Sequence, residues 1–356
     1  MKVLYVISTL GGGGAESQLC SFAVELSRSH HKVDFEICAL KDGGVFESTL
    51  EKNKIKYTVL HTKGILKSIF KLRRVIKTRK IDVVHAHMFL SDIVSRYATL
   101  FTGCKLVSTH HGLGKWKNKL HILLDKMSKH RVNRFVMVSE QSKVIRLARE
   151  KYPPEKTVVI HNGISERYLS ERGRTINSNA PVIGTIARMT DNKQINLMID
   201  AIYEIKKTYP FVRYEIVGDG ENYGSLVEQT RKQGLEENVR FYGWQDDVLP
   251  VLDGWHIFAL PSINEDLPVS MLECMAHGVV PVASAVGGIV TLIGKNENGI
   301  LCDSGDMSTF VNAINYLVGD ELTYEKMSQS CIDFISKEFL LSKTVEKTVK
   351  LYEEII

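Results

Sequence analysis

From Lys2 the chain alternates short β-branched apolar runs with longer segments whose apolar residues recur at helical spacing. KVLYVIS leads into a helical pattern at about residues 16–28, which is followed by KVDFEICAL and another helical stretch. A period of two giving way to 3.6 predicts strands covered by helices. Further strands are predicted at 83–86, 106–109, 135–138 and 158–161. The polar stretch 170–181 interrupts the pattern and reads as an interdomain linker. Beyond it the alternation restarts with PVIGTIA, YEIVGDG, VRFYG, HIFALPS and VVPVASA. Repeated units of this kind build parallel sheets under helices, so the expected fold class is α/β, with two successive sheets. The expected domains are 1–169 and 182–336, with a last helix at 337–356 returning to the first domain. Such sheets bind ligands beyond the carboxyl ends of their strands, and two of them leave a cleft between domains.

Composition agrees with two cores: 356 residues with 44% apolar content exceed one ordinary domain. The six cysteines lack CxxC or His-paired spacing and read as reduced thiols rather than a disulfide framework or zinc site. The first ten residues carry one lysine and a short apolar run ending at four glycines, which suits a strand better than a secretion signal. The expected location is therefore cytoplasmic. No run of about 20 apolar residues is free of charge and glycine, so no membrane-spanning helix is expected.

Charge sharpens this picture. Residues 1–170 hold 30 Lys and Arg against 14 Asp and Glu, and residues 171–356 hold 16 against 27. An anionic partner is implied for the first half: membrane, phosphate-bearing substrate or nucleic acid. No nucleic-acid recognition module or regular aromatic interleaving accompanies the charge, so nucleic acid is disfavoured.

Three segments carry candidate chemistry. Gly11, Gly12, Gly13 and Gly14 stand between the first strand and its helix, where backbone N–H groups can approach a phosphate. A plain tight turn would look the same, and neither GxGxxG nor a Walker Lys-Ser pair is present. In the second half, the strand at 183–187 precedes Arg188 and Lys193, two cations able to neutralise a departing diphosphate or simply to be solvated. The third segment is PSINEDLPVSMLECMAHGVVPVASAVGG at 261–288. There Asp266 is expected to cap a helix begun by Leu267 and Pro268 and ended by Gly278. Glu265 and Glu273 are eight residues apart, at most about 12 Å along a helix, a span that suits the sugar and ribose of a nucleotide sugar. Free amides at that helix start would face the same ligand.

With GGGGAE at 11–16, VVHAH at 83–87, THHG at 109–112, HNG at 161–163, IVGDG at 216–220 and FYGW at 241–244, the chain resembles glycosyltransferase family 4 over nearly its whole length. These are retaining enzymes of the GT-B fold, in which two Rossmann-like domains face a central cleft. The resemblance implies that Arg188 and Lys193 bind the donor diphosphate with backbone around Gly12, Gly13 and Gly14. It implies that Glu273 holds the ribose, and that Glu265 and amides of Asp266, Leu267 and Pro268 hold the sugar, with Gly243 also on the donor side. His111 matches the family's TxHG histidine near the reacting centre; His87, His110 and Asn162 are weaker candidates there. A lone histidine in such positions is more often a hydrogen-bonded core residue or an exposed edge residue than a functional one. Three positions depart from the family: Asp266 and Gln194 stand where glycine is usual, and Cys274 where alanine is. Asp266 adds a carboxylate beside the sugar and leaves the donor's identity open.

The implied chemistry is retention by departure of the diphosphate, with the acceptor hydroxyl entering on the same face and losing its proton to a donor phosphate oxygen. No Asp-x-Asp triplet occurs, so cationic side chains and a helix dipole are expected in place of a metal, and no cofactor is expected. UDP is favoured as the nucleotide because it is common in the family. For the acceptor, residues 63–80 hold eight Lys or Arg and no acid, with Ile65, Ile69, Leu72 and Ile76 at helical spacing. Lys67, Lys71, Arg73 and Arg74 there, with Lys115, Trp116 and Lys117 of KWKNKL, are membrane-facing candidates. A solvated basic helix is the plainer alternative. Together these point to a glycan or lipid-linked acceptor at the inner membrane face, in polysaccharide assembly. Competing functions are a nucleotide-sugar epimerase and a non-catalytic binder of anionic membranes. A Rossmann oxidoreductase is weaker, lacking its glycine fingerprint and the acid after strand two.

Overall fold

The computed structural model describes residues 1–114, 117–294 and 297–356; the Lys115 and Trp116 candidates lie outside the described residues. The chain forms two compact units, Met1–Ser165 with Leu341–Ile356, and Glu166–Leu340. Each is a parallel sheet covered by helices.

The first unit's strands are β1 (Lys2–Ile7), β2 (Asp34–Ala39), β3 (Tyr57–Val59), β4 (Val83–His87), β5 (Lys105–His110), β6 (Arg134–Met137) and β7 (Thr157–Val159), in the order β3-β2-β1-β4-β5-β6-β7. Val3 to Ile7 of β1 are wholly buried, because a central parallel strand has both faces covered. Val3, Tyr5 and Ile7 meet the helix Gly14–Arg28 and the chain's last helix, Leu341–Glu353, while Leu4 and Val6 share a core with Leu72 and Ile76 of the helix Ile65–Arg79. The second unit contains β8 (Val182–Ile186), β9 (Arg213–Val217), β10 (Val239–Gly243), β11 (Ile257–Leu260), β12 (Val280–Ser284) and β13 (Ile300–Cys302), in the order β10-β9-β8-β11-β12-β13. The strands β3 and β13 have no counterpart in the sequence pattern: each has three residues at a sheet edge, too few to show a period.

Residues 170–181 lie inside the second unit, and the chain passes between units after Ser165 and after Leu340. Arg174 ties this polar stretch down, donating to the carbonyls of His277 at 2.6 Å and of Asp253 and Trp255 at 2.9 Å.

The helix Ile65–Arg79 turns Ser68, Leu72 and Ile76 inward. Ile65, expected on that stripe, points to solvent with Leu66 and Phe70. Among the membrane candidates, Lys67 and Arg74 are exposed. Lys71 donates to the Leu60 carbonyl at 2.7 Å, and Arg73 to those of Ala98 and Tyr97 at 3.2 and 2.6 Å. Lys117 is not membrane-facing: it is buried in an ion pair with Asp125, because it helps neutralise an interior cluster with Glu150, Arg96 and Arg146. No helix among the described residues is long and apolar enough to cross a membrane.

In both sheets the strand order reverses beside the first strand of the unit, between β1 and β4 and between β8 and β11. Connections leave such a point in opposite directions and open a crevice at the carboxyl ends. The candidate motifs sit there: GGGG follows β1, HAH ends β4, Arg188 follows β8, and the Glu265 segment follows β11.

Candidate active site

The first unit holds a glycine turn and a histidine group. Gly13 precedes the helix Gly14–Arg28, whose N-terminus has no side-chain cap, so its first amides lack helical acceptors. Glu16 folds back over this turn and accepts from Thr9 Oγ1 at 3.2 Å; a Cβ on Gly13 would lie 2.3 Å from its Oε2. A side chain at Gly13 would have to displace only the flexible Glu16 carboxylate, since the φ of −112° is open to any residue.

The end of β4 carries His85 and His87, both buried. His85 has both nitrogens engaged: Nδ1 lies 2.5 Å from the Tyr352 hydroxyl and Nε2 lies 2.6 Å from Thr109 Oγ1. Tyr352 donates to Tyr5 at 3.2 Å, so His85 donates from Nδ1 and accepts at Nε2. His87 Nδ1 lies 2.8 Å from Nε2 of His111, with the rings 5.1 Å apart and 22° from parallel. Burial lowers His85 to about 3 and His111 to about 4, and burial with the neighbouring His85 and His111 holds His87 well below the usual range. All three are neutral at physiological pH. Met88, the next residue, has φ 70° and ψ 166°, a conformation almost confined to glycine. Backbone strain of this kind concentrates where a side chain must be held against local preference.

His110 belongs elsewhere. It is buried, with Nε2 3.4 Å from the Tyr152 hydroxyl and 3.8 Å from Asp92, beside the Arg96, Lys117 and Arg146 cluster. Burial and those cations keep it neutral, and its alternation with His111 sends it to the opposite side of the strand end. Asn162 is buried and lines the same small cavity as His87 and His111. The loop after THHG is clamped from the helix Glu140–Arg149: Arg146 donates to Gly112 O at 2.8 Å and Arg149 to Gly114 O at 2.9 Å.

In the second unit, Arg188 is exposed immediately beyond β8. Its loop rests on IVGDG: Met189 N donates to Asp219 O at 2.9 Å, and a Cβ on Gly220 would lie 2.4 Å from Met189 O. Gly218, at φ 128°, likewise leaves room for Ala187 O. Lys193 Nζ donates to Glu265 Oε1, which also accepts from Ser262 Oγ at 2.7 Å. The two loops are stitched by Ile263 N to Asn192 O at 2.8 Å and Asn192 Nδ2 to Asn264 O at 3.0 Å. Gln194 is left-handed at φ 46°, the geometry for which glycine is the easy choice. Gly243 ends β10 at φ 68° and accepts from Gly218 N at 2.8 Å.

The helix after Glu265 runs Val269–Ala276 with Pro268 as its N-cap and no side-chain cap. Pro268 rather than Asp266 is thus the N-cap residue, and Leu267 and Pro268 precede the helix, because Pro268 is still extended at ψ 113° and a residue before proline is held off helical backbone. Gly278, at φ 74°, closes the other end as expected. Glu273 is half-buried on this helix, and burial pushes its carboxyl up to about 7 against the hydrogen bond donated by Tyr168. Arg167 Nη2 donates to the Tyr168 hydroxyl at 3.0 Å and pairs with Asp247 at 3.3 Å. Tyr168 and Arg167 carry no motif and were not legible in the sequence; Gln18, a polar residue on the buried side of the first helix, was missed there.

The comparisons agree with this layout. The description "Glycosyltransferase Family 4" matches residues 12–167, and "Glycosyl transferases group 1" matches residues 166–333. The UDP-Gal:alpha-D-GlcNAc-diphosphoundecaprenol alpha-1,3-galactosyltransferase of Escherichia coli is 26% identical, over 82% of this chain and 80% of its own. The N-acetyl-alpha-D-glucosaminyl L-malate synthase of Bacillus anthracis is 24% identical, over 80% of this chain and 78% of its own. Among solved structures, Anabaena HepE in complex with UDP-glucose shares the fold with a TM-score of 0.88 at 20% identity, covering 99% of this chain and 100% of HepE.

Proposed function

The chain belongs to the family 4 glycosyltransferases, and from that membership we propose that it moves a sugar from a UDP-sugar to a glycan or lipid-linked acceptor, with retention and without a metal. The observation that carries this is the gathering of Arg188, Lys193 and Glu265 on two stitched loops at a topological switch point, with Glu273 on the helix that follows. Breaking the bond between the sugar and the diphosphate leaves negative charge on the phosphate oxygens. Arg188 and Lys193 stabilise that charge as it grows, and the helix start at Val269 adds oriented N–H groups. The acceptor hydroxyl enters on the same face and gives its proton to a phosphate oxygen of the leaving group, so no protein base is consumed. Glu273, ionised, accepts the ribose hydroxyls; Glu265 and Asp266 face the transferred sugar. UDP is supported by the UDP-sugar donor in the name of the Escherichia coli relative and by UDP-glucose in the HepE complex.

The acceptor is assigned to the first unit and, with it, peripheral contact with an anionic membrane at its cytoplasmic face. Ile65, Leu66 and Phe70 are exposed on a helix that also presents Lys67, Lys71, Arg74 and Lys77 to solvent. Leu120, Leu123 and Met127 form a second exposed apolar strip on the helix Lys119–Ser128. Nucleotide release from a panel of UDP-, GDP- and ADP-sugars, with membrane lipid extract as acceptor and EDTA present, tests the transfer reading. Acceptor-dependent release of UDP that is lost in Lys193→Ala and Glu273→Ala supports it. Release that needs added metal, or a donor altered without any acceptor, overturns it in favour of metal dependence or epimerisation.

A further inference from the structure

The histidine pair has two loose ends. His87 and His111 share one hydrogen bond, Nδ1 to Nε2, while His87 Nε2 and His111 Nδ1 are buried without protein partners. The carboxamide of Gln18, 4% exposed, is also without a partner at both its oxygen and its nitrogen. All three side chains line one cavity of about 30 Å³, room for one or two waters. Leaving this many buried polar atoms unmatched is costly unless something completes them in use.

One proton occupies the bond between two neutral imidazoles, so their outer nitrogens are always opposite: one an N–H, the other a lone pair. If His111 Nδ1 accepts from a hydroxyl, then Nε2 of His111 carries its proton and donates to His87, and His87 Nε2 is an N–H. If His111 Nδ1 donates to an oxygen that only accepts, the polarity of both rings is reversed. One proton is taken up at His111 Nδ1 from solvent, the shared proton passes to His87 Nδ1, and His87 Nε2 gives its proton to cavity water and becomes a lone pair, so the pair stays neutral. Gln18 can satisfy either state, directly or through cavity water, by turning its amide so that oxygen or nitrogen faces His87. We propose that Gln18, His87 and His111 form an uncharged, reversible hydrogen-bond relay that lets His111 act toward the substrate as donor or acceptor, with His87 and Gln18 as positioning residues. The proposal rests on the transferase reading in placing His111 beside the substrate. A phosphate-bearing substrate offers both kinds of partner, hydroxyls and phosphate oxygens, and a ring locked in one tautomer would serve only one. The strained Met88 backbone fixes His87 in the place the relay requires.

The test is ring ¹⁵N spectroscopy of the ¹⁵N-histidine-labelled full chain, which separates N–H from bare nitrogens, with and without UDP. The expected result is complementary occupancy at His87 Nε2 and His111 Nδ1, redistributed by UDP or by Gln18→Met. Both outer nitrogens protonated, both bare, or occupancies that neither UDP nor Gln18→Met moves, overturn the relay. In kinetics, His87→Phe keeps the bulk but has no nitrogen, and kcat falls about tenfold while donor KM stays within about twofold. His87→Asn retains a reversible amide and recovers most of that loss; a purely structural role would not favour Asn over Phe. UDP affinity is measured separately by calorimetry. Absence of UDP binding would remove the transferase reading, while the occupancies and the response to Gln18→Met still decide the relay.

Discussion

If Glu273 holds the ribose as proposed, its raised carboxyl makes donor binding pH-dependent in a calculable way. Its folded pKa is about 7 against an ordinary 4.5, chiefly because of burial. Ribose hydroxyls donate to a carboxylate and lose most of that interaction with a neutral acid, so the ionised fraction scales the affinity. That fraction is about 0.9 at pH 8 and about 0.1 at pH 6, so a UDP-sugar binds roughly tenfold more weakly at pH 6. The diphosphate diester of a UDP-sugar does not titrate in this range, and calorimetry at pH 6, 7 and 8 isolates the protein's group. Tyr168→Phe removes the hydrogen bond that favours the ionised form and moves the midpoint upward. Glu273→Gln binds with the weak, pH-independent affinity of the protonated state. Stability has the opposite sign. The folded state holds the proton up to about 7 and the unfolded chain only to about 4.5, so ionisation destabilises the fold as pH rises through that window. Glu273→Gln then stabilises the ligand-free protein at pH 8 by up to about 3 kcal/mol. A wild-type affinity flat from pH 6 to 8, or a pH dependence surviving in Glu273→Gln, would refute the reasoning.

Glu265→Gln releases Lys193 from its ion pair, so UDP alone binds several-fold more tightly while kcat falls about 100-fold, read by calorimetry and nucleotide release. At Gln194, glycine relieves the left-handed backbone and stabilises by up to about 1 kcal/mol, whereas valine costs at least about 1 kcal/mol; urea unfolding distinguishes them. Leu66→Asp with Phe70→Asp abolishes sedimentation with anionic vesicles and leaves stability within about 0.5 kcal/mol, both side chains being exposed. Lys117→Ala does the reverse, costing about 3 kcal/mol and sparing vesicle binding, because it leaves buried Asp125 and Glu150 short of a cation.

How far these sites were legible depends on what each residue's position demands. Central strands such as KVLYVI and VIGTI are apolar throughout because both faces are covered, and they announce themselves. The end of the first unit did not: the stretch 170–181 is polar like a linker, yet Arg174 fixes it through backbone carbonyls, which leave no trace in side-chain pattern. Lys117 looked like a surface charge for the same reason, its acids lying 8 and 33 residues away. Gln18 carried a faint signal, standing four residues before Phe22 on the buried side of its helix where an apolar residue belongs. Gln194 was visible as a departure from the family pattern, but only the left-handed backbone gives that departure a physical meaning.

The charges of the second unit are held as a pair across two loops. Lys193 and Glu265 are 20% and 11% exposed, and either alone would be a partly desolvated charge seeking a partner. Paired, they hold the loops beyond β8 and β11 together through the same span as the Asn192 hydrogen bonds. On the proposed reading a diphosphate changes the balance, because it offers Lys193 more negative charge than one carboxylate can. As Lys193 turns to it, Glu265 loses its cation and keeps only Ser262, which leaves its oxygens open to sugar hydroxyls. One exchange of partners thus arms both groups, and it does so only for a ligand carrying phosphate and sugar together. A bare sugar must compete with Lys193 for Glu265, and a bare nucleotide leaves Glu265 without its cation. On the proposed reading the Lys193–Glu265 ion pair is therefore a device for specificity as much as for stability.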